Sequence, residues 1–259
     1  MNLNLNGKVA LVVASSQGLG KAIATQFVKE GMRVMLTSRN EGTLKEVKEE
    51  LSAHGTVEYC PADITKPEEI TRLVEQTVDV YGGIDVLINN AGGPPAGSFE
   101  QFSDEDWINA FQLNLLSYVR LIREALPHLK KDGGRIINIA SSSIKVPIPG
   151  LILSNTFRTG MIGMAKTLAD EFAEYGILIN TVAPGRIATD RVAHLDSVNA
   201  EKHGKSVEEV EEESKAKIPL KRYGTPEEFA NVVTFLVSDG NTYMTGSSFL
   251  VDGGMVKSI

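Results

Sequence analysis

Short apolar runs alternate with amphipathic segments along the chain. The runs at 9–13, 33–36 and 84–88 have the length of strands, and apolar positions between them recur with the period of a helix. The run at 84–88 is apolar enough to be buried on both faces of a parallel sheet. This alternation predicts consecutive β-α-β units with right-handed crossovers.

The same alternation continues to the end of the chain and predicts a full set of elements. A last helix starts at Thr225, where Pro226 suits the first turn and Glu228 completes a capping box. The pattern predicts an α/β fold with a doubly wound, mostly parallel sheet of about seven strands, helices on both faces, and a ligand crevice at the carboxyl ends of the strands. Strands are expected at 9–13, 33–36, 56–60, 84–88, 135–140, 177–182 and 248–251, and helices at 19–30, 41–53, 67–81, 105–129 and 154–175.

The composition is that of one ordinary globular domain. The 259 residues are 42% hydrophobic and 23% charged, and no linker divides them, so we expect a single domain over residues 1–259. A net charge of -7 disfavours nucleic acid and anionic membranes as partners, although a local basic pocket could still hold a phosphate. Cys60, the only cysteine, is expected to be a buried thiol.

The N-terminal segment 1–8 is polar and lacks the basic and apolar parts of a signal sequence. No stretch of about 18 apolar residues occurs elsewhere. We therefore expect a cytoplasmic protein without a nucleic-acid or membrane partner and without a metal site.

One interval, 190–217, breaks the alternation because it is long, polar and without a strand signal. Ser206 and Glu209 form a second capping-box pattern within it. The interval follows the sixth predicted strand, at the crevice end of the sheet, where loops often carry function. We expect a mobile lid over the substrate, with a solvated surface helix as the alternative.

A glycine-containing turn lies between the first strand and the first helix. Backbone N–H groups and the positive end of a helix can face a pyrophosphate there. The turn, 13–20, resembles the T-G-x-x-x-G-x-G pattern of the short-chain dehydrogenase/reductase family, with Val13 and Ala14 in place of the leading Thr and Gly. The methyl group of Ala14 is tolerable if its φ is negative. Ser15 and Ser16 offer hydroxyls to phosphate oxygens, beside Gly18, Leu19 and Gly20.

The resemblance to this family covers nearly the whole chain. The family's N-N-A-G stands at 89–92, its P-G-x-I-x-T at 184–189, and its closing motifs at 243–246 and 251–254. The resemblance implies a Rossmann-type domain that binds a nicotinamide dinucleotide. It assigns cofactor contacts to Asp63, Ile64, Asn90, Ala91, Gly92, Pro184, Gly185, Ile187 and Thr189.

Ser38 and Arg39 stand at the end of the second strand, the position that decides between NAD and NADP. An acidic residue there binds the ribose hydroxyls of NAD and repels a 2′-phosphate. A guanidinium instead binds that phosphate with two charged hydrogen bonds. We expect NADP(H) in preference to NAD(H).

The family reduces carbonyls with an Asn, a Ser and a Y-x-x-x-K helix turn. Asn114 and Ser141 match the first two roles, but the Tyr and Lys positions hold Ser154 and Arg158. Arg158 keeps the positive charge yet cannot pass on a proton, and the Ser154 hydroxyl is a far weaker acid than a phenol. Since a positioned general acid contributes about 10²–10⁴ in rate, we expect a slow or redirected reaction.

Four other residues are candidates for the missing acid, and two of them, Ser142 and Ser143, adjoin Ser141. Lys145 follows Ser141 by about one helical turn, and His194 stands at the start of the expected lid. The alternative for Lys145 is a solvated lysine in a loop, and the alternative for His194 is a histidine on the surface.

The chain is similar to the 3-oxoacyl-(acyl-carrier-protein) reductase branch of this family, and the resemblance implies reduction of a 3-oxoacyl group or another ketone to an alcohol. The alternative is a dinucleotide-binding protein without redox turnover that acts as a scaffold, sensor or partner subunit. The expected substrate is a small carbonyl or alcohol, free or carrier-linked. The apolar segment 147–153 suggests a pocket wall, and Arg186 or Lys145 could receive an anionic group.

The resemblance also implies a homotetramer in which the helices 105–129 and 154–175 pair across subunits. Four residues on the first of these helices could supply apolar faces to the core or to an interface: Trp107, Phe111, Leu115 and Ile122.

Overall fold

The computed structural model describes residues 2–258 and contains one seven-stranded parallel sheet. Its strand order is β3-β2-β1-β4-β5-β6-β7, so the direction of winding reverses between β1 and β4. In such a sheet the ligand crevice lies at this reversal, outside the carboxyl ends of the strands. The strands are β1 (Val9–Val13), β2 (Arg33–Thr37), β3 (Val57–Tyr59), β4 (Val86–Asn89), β5 (Arg135–Ile139), β6 (Leu178–Pro184) and β7 (Ser248–Val251).

The predicted α/β fold and its seven parallel strands are confirmed, with most bounds within two residues. The largest differences are in β4, which begins at Val86, and in β6, which continues to Pro184. The longer β6 pairs with β7 through Pro184 and Val251. Cys60 is buried, as expected.

Helices cover both faces of the sheet. One face packs apolar residues such as Leu73, Tyr118 and Met161, and the other packs residues such as Ile23, Leu44 and Phe229. Burial of these apolar side chains on both faces is the main stabilising contribution to the fold. The helices are α1 (Gly18–Lys29), α2 (Glu41–Ser52), α3 (Pro67–Tyr81), α4 (Asp104–Phe111), α5 (Ser117–Leu129), α6 (Ile152–Glu171), α7 (Asp190–His203), α8 (Val207–Ala216) and α9 (Pro226–Val237).

The predicted helix 105–129 is wrong in one respect, because a π-helical turn at Gln112–Leu116 divides it into α4 and α5. Such a turn inserts one extra residue into the helical repeat and is frequent at functional sites. Asn114 lies within it and is wholly buried. Hydrophobic periodicity does not show the interruption, because the apolar positions continue through it.

The expected lid segment 190–217 forms the helices α7 and α8. The Ser206 hydroxyl accepts the Glu209 N–H, and the Glu209 carboxylate accepts the Ser206 N–H, so the predicted capping box is confirmed. The same arrangement of Thr225 and Glu228 starts α9. Over residues 2–258, no helix combines the length and the apolar character that crossing a bilayer requires.

Candidate active site

The turn between β1 and α1 is shaped to receive an anion. The N–H groups of Gly18, Leu19 and Gly20 belong to the first turn of α1, where no helical carbonyl can accept them. No acidic residue lies in that turn. A methyl group on Gly20 would lie 2.1 Å from the Ala14 carbonyl oxygen, so this close approach requires glycine.

Ala14 has a φ of 51°, so the condition of a negative φ, under which its methyl group is tolerable, is not met. The chain must turn sharply after β1, and the Asn90 amide donates to the Ala14 carbonyl oxygen at 3.3 Å in the resulting conformation. A left-handed conformation costs a residue with a Cβ about 1–2 kcal/mol. The turn thus holds Ala14 in a left-handed backbone conformation that glycine adopts at a lower cost in free energy.

Ser15 stabilises the turn through hydrogen bonds to β2, and its hydroxyl is engaged in one of them. Its side chain is buried, and its Oγ accepts the Thr37 N–H of β2 at 3.0 Å. The Ser15 N–H donates to the Thr37 carbonyl at 3.0 Å. The expectation that the Ser15 hydroxyl donates to a phosphate is corrected because β2 engages it. Ser16, which is partly exposed, remains the candidate hydroxyl.

Arg39 and Asp63 lie close together at the carboxyl edge, after β2 and β3. Arg39 is exposed, and the Ser38 hydroxyl donates to the Asn40 carbonyl at 3.4 Å. Although partial burial opposes it, hydrogen bonds from Thr65 and the charge of Arg39 hold the pKa of Asp63 below its usual value. Asp63 is therefore a carboxylate at neutral pH, and Arg39 is exposed to a ligand beside it.

The loop after β6 closes the other side of the crevice. The Gly185 N–H donates to the Val251 carbonyl at 2.9 Å, and a methyl group on Gly185 would lie 2.6 Å from the Asp252 Cβ. Thr189 lies over the glycine-containing turn, since a methyl group on Gly18 would lie 3.8 Å from its Cγ2. The loop after β6 thus lies next to the turn between β1 and α1, which are two parts of the predicted dinucleotide site.

Asn114 and Ser141 have defined contacts at the crevice. The Asn114 amide donates to the Gly92 carbonyl at 2.8 Å, which ties the π turn to the N-N-A-G segment. Its Oδ1 is buried and has no hydrogen-bond partner within residues 2–258. The Ser141 Oγ accepts the Ser143 N–H at 3.2 Å. A buried acceptor without a partner points to a ligand or a water at this position.

Ser154 and Arg158 are buried one turn apart on α6, with 6% and 5% of their surface exposed. The Arg158 Nη1 donates to the Ile139 carbonyl oxygen at 2.8 Å. Ile139 ends β5, two residues before Ser141. The structure thus brings Arg158 to the strand end that precedes Ser141.

Tyr118 is a residue that sequence reasoning assigned to no role at this site. It lies on α5, one turn after Asn114, and its hydroxyl donates to the same Ile139 carbonyl at 3.2 Å. Burial raises the pKa of this phenol, so it is protonated at neutral pH. Its spacing of four residues from Asn114 is the sequence signal that could have identified it.

Among residues 2–258, Lys145 and His194 do not contact Ser154 or Arg158. Both side chains are exposed, and neither has a hydrogen bond to Ser154 or Arg158 in the described part of the chain. Residues 2–258 contain no cluster of three His, Cys, Asp or Glu side chains suited to a metal ion.

Two loops and α7 border the crevice on its substrate side. The Gly97 N–H donates to the Gly150 carbonyl at 2.7 Å, which joins the loop after β4 to the loop after β5. The Arg191 Nη2 donates to the Pro94 carbonyl at 3.4 Å. Arg191 is thus a cation at the start of α7 that the sequence did not single out.

Known proteins resemble this chain along its full length. A family model described as enoyl-(acyl carrier protein) reductase matches residues 13–256. The uncharacterized oxidoreductase YvrD of Bacillus subtilis (strain 168) is 34% identical over 264 residues and covers 100% of both chains. The 3-oxoacyl-(acyl-carrier-protein) reductase FabG of Aquifex aeolicus (strain VF5) is 36% identical, over 98% of this chain and 100% of its own.

Among solved structures, L-sorbose reductase from Gluconobacter frateurii, complexed with NADPH and L-sorbose, superposes with a TM-score of 0.95. It is 32% identical, and the match covers 100% of both chains. The chain belongs to the short-chain dehydrogenase/reductase family of oxidoreductases, and within it resembles the 3-oxoacyl-(acyl-carrier-protein) reductases.

Proposed function

We propose that this protein reduces a ketone to an alcohol with NADPH. One observation carries the proposal: Ser154 and Arg158 are buried one turn apart on α6, and Arg158 is hydrogen-bonded to Ile139 at the end of β5, two residues before Ser141. Hydroxyl donors and a fixed positive charge at one point are suited to an oxygen on which negative charge develops. A single domain, 1–259, carries both the dinucleotide site and this group.

The residues fit a bound dinucleotide. The first turn of α1 has free N–H groups and no acidic residue, and Gly20 leaves room where a methyl group would collide with Ala14. When bound, NADPH supplies the hydride. Arg39, exposed beside the end of β2, supports the choice of NADP(H), and the L-sorbose reductase structure contains NADPH.

In the reduction, the carbonyl carbon gains a hydride and its oxygen gains a proton. Ser141 and Ser154 donate hydrogen bonds to that oxygen, and the Arg158 charge stabilises the developing alkoxide. The proton that the alkoxide gains comes from water, either directly or through a serine hydroxyl that water then reprotonates. This arrangement stabilises charge well and delivers a proton poorly, which favours a ketone activated by its own substituents.

The substrate is a small ketone or alcohol, free or carrier-linked. The loops joined at Gly97 and Gly150 form one side of its pocket, and α7 and α8, over 190–217, form a lid. Arg191 at the lid supports a substrate with an anionic group away from the carbonyl.

The second candidate function is that of a protein that binds a dinucleotide but catalyses no redox reaction. Ser154 and Arg158 favour it, because no phenol reaches the crevice from that helix turn. It requires the same cofactor site but no chemistry at the Ser141 segment.

The experiment that separates the two candidates begins with NADPH binding, measured by fluorescence. Oxidation of NADPH is then followed at 340 nm against ketones, aldehydes and 3-oxoacyl thioesters. The wild type is compared with Ser154→Ala, with Ser154→Tyr/Arg158→Lys, and with Thr156→Ala as an exposed control on the same helix. The proposal expects turnover by the wild type and by the control and its loss in Ser154→Ala. Turnover by the Tyr/Lys variant alone would favour the second candidate.

A further inference from the structure

The phenol of Tyr118 lies where four parts of the site meet. The side chain is 0% exposed, and its hydroxyl donates to the Ile139 carbonyl that also accepts Arg158. The Arg158 guanidinium lies against the phenol oxygen, which the Ala91 N–H also faces. One phenol thus contacts the N-N-A-G turn, the end of β5 and α6 from its place on α5.

Arg158 is a buried cation whose neighbours at this point are neutral. Within residues 2–258 it has no carboxylate within 4.0 Å. A buried guanidinium needs acceptors for its N–H groups, and the Ile139 carbonyl provides one at 2.8 Å, with the phenol oxygen beside it. The phenol donates its own proton to the same carbonyl oxygen at 3.2 Å, so the guanidinium and the phenol lie side by side around one acceptor.

These neighbours restrict the plane of the guanidinium as well as its position. The five N–H groups of a guanidinium lie in one plane with fixed directions, so the bond from Nη1 to Ile139, with the phenol alongside, restricts where the remaining N–H groups face. An ammonium has three rotatable donors and gains less from such a fixed acceptor. The phenol at position 118 therefore suits an arginine at 158.

We propose that Tyr118 is the positioning residue for Arg158, holding the guanidinium so that its free edge meets the nicotinamide-side ribose of a bound dinucleotide. The inference rests on the proposed function, because it needs a bound dinucleotide. Tyr118 is not the missing acid, since it is wholly buried and its proton is engaged by the Ile139 carbonyl.

A double-mutant cycle on the dissociation constant for NADPH tests this role without any carbonyl substrate. The wild type, Tyr118→Phe, Arg158→Met and the double variant are titrated with NADPH by fluorescence, and each is also melted. Tyr81→Phe is the matched control, because Tyr81 is another buried tyrosine whose hydroxyl donates to a backbone carbonyl, that of Val34, at 3.1 Å.

The positioning role predicts a three- to tenfold weaker affinity for NADPH in Tyr118→Phe, about the size of one lost hydrogen bond. Arg158→Met is expected to weaken binding at least as much, and the double variant no further than Arg158→Met alone. Tyr81→Phe is expected to lose comparable thermal stability while its affinity stays within twofold.

Three results would overturn the inference. These are unchanged affinity in Tyr118→Phe, unchanged affinity in Arg158→Met, and effects of the two changes that multiply in the double variant. The Arg158→Met result stands even if Tyr118→Phe does not fold. A wild type that binds no NADPH overturns the proposed function instead, and this outcome appears before any variant is made.

Discussion

Asp196 of α7 forms an ion pair with Arg186 in the loop after β6, although the Asp196 side chain has no exposed surface. The Tyr223 hydroxyl donates to the other carboxylate oxygen of Asp196 at 2.8 Å. Arg186 stands between Gly185 and Ile187, two of the residues expected to contact the cofactor. One buried carboxylate therefore joins the lid segment to the loop that closes the dinucleotide crevice.

The change Asp196→Asn removes this charge with little change in shape. Arg186 then loses its ionic partner and the donors around position 196 lose acceptors, so we expect the protein to be less stable by about 1–3 kcal/mol. Trypsin should also cut faster at Lys202 and Lys205, because α7 is less firmly held. Urea unfolding and timed proteolysis measure both effects. Asp170→Asn, an exposed site on α6, should change neither.

Because of the contact between Tyr223 and Asp196, the stability of the protein should depend on pH in the alkaline range. Burial and the hydrogen bond to Asp196 raise the pKa of Tyr223, whereas an unfolded tyrosine titrates near a pKa of about 10. The folded state thus binds this proton more tightly, and its contribution to stability is complete below pH 10 and declines as the pH rises further. Thermal melts of the wild type and Tyr223→Phe between pH 8 and 11 test this. Parallel curves for the two proteins would contradict it.

Arg39→Ala should remove much of the preference for NADP(H). A bidentate contact to the 2′-phosphate contributes a charge-assisted pair of hydrogen bonds, so its loss should weaken NADPH binding about 10- to 100-fold and NADH binding little. Fluorescence titrations with both cofactors measure the ratio. Lys29→Ala, an exposed cation at the far end of α1, serves as the control. An unchanged ratio in Arg39→Ala would refute this assignment.

Ala14→Gly should stabilise the protein. Relief of the left-handed conformation gains about 1–2 kcal/mol and the added freedom of the unfolded chain costs about 0.5–1 kcal/mol, which leaves a small net gain. The melting temperature should rise by about 1–4 °C. Ala22→Gly makes the same chemical change inside α1 and should lower it. A lower melting temperature in both variants would show that Ala14 is not strained.

The exposed apolar face around α4 should pair with a second copy of the chain. Phe99 and Ile108 are 67% and 53% exposed, and the Trp107 ring packs between those of Phe99 and Phe157 at centroid distances of 6.3 and 5.8 Å. Light scattering should give a multiple of 28.0 kDa, and Ile108→Asp should lower it. Val80→Asp, an equally exposed apolar site on α3, should not. A wild-type monomer would contradict the prediction.

Hydrophobic periodicity predicted the strands well, because a buried parallel strand is an unbroken apolar run with few alternatives. It could not show the π turn at Asn114, since helical and π-helical turns have the same composition. Of the four residues proposed for an apolar face, Ile122 is buried in the core and Phe111 is 38% exposed. The hydrophobic pattern of a helix identifies its apolar face, but it does not show whether the core or another subunit covers that face.

The sequence predicted backbone geometry where a motif fixes it, but it did not predict side-chain contacts. Gly20 and Gly185 lie in close approaches that only glycine permits. The Ser15 hydroxyl instead contacts Thr37, and Tyr118 and Arg158 meet at the Ile139 carbonyl through contacts between residues 21 and 19 positions apart. Spacing along the sequence carries no information on such contacts until the strands are in register.

The π turn also changes the direction in which side chains of α5 point relative to those of α4. Each residue of a helix rotates the chain by about 100°, so the extra residue in Gln112–Leu116 offsets α5 from α4 by about a quarter of a turn. Ile108 and Phe111 then face outward, while Asn114 and Tyr118 are buried. Substitutions on the outer face of α4 should therefore leave the buried side chains of α5 in place, so the proposed self-association and the proposed chemistry should respond to different substitutions.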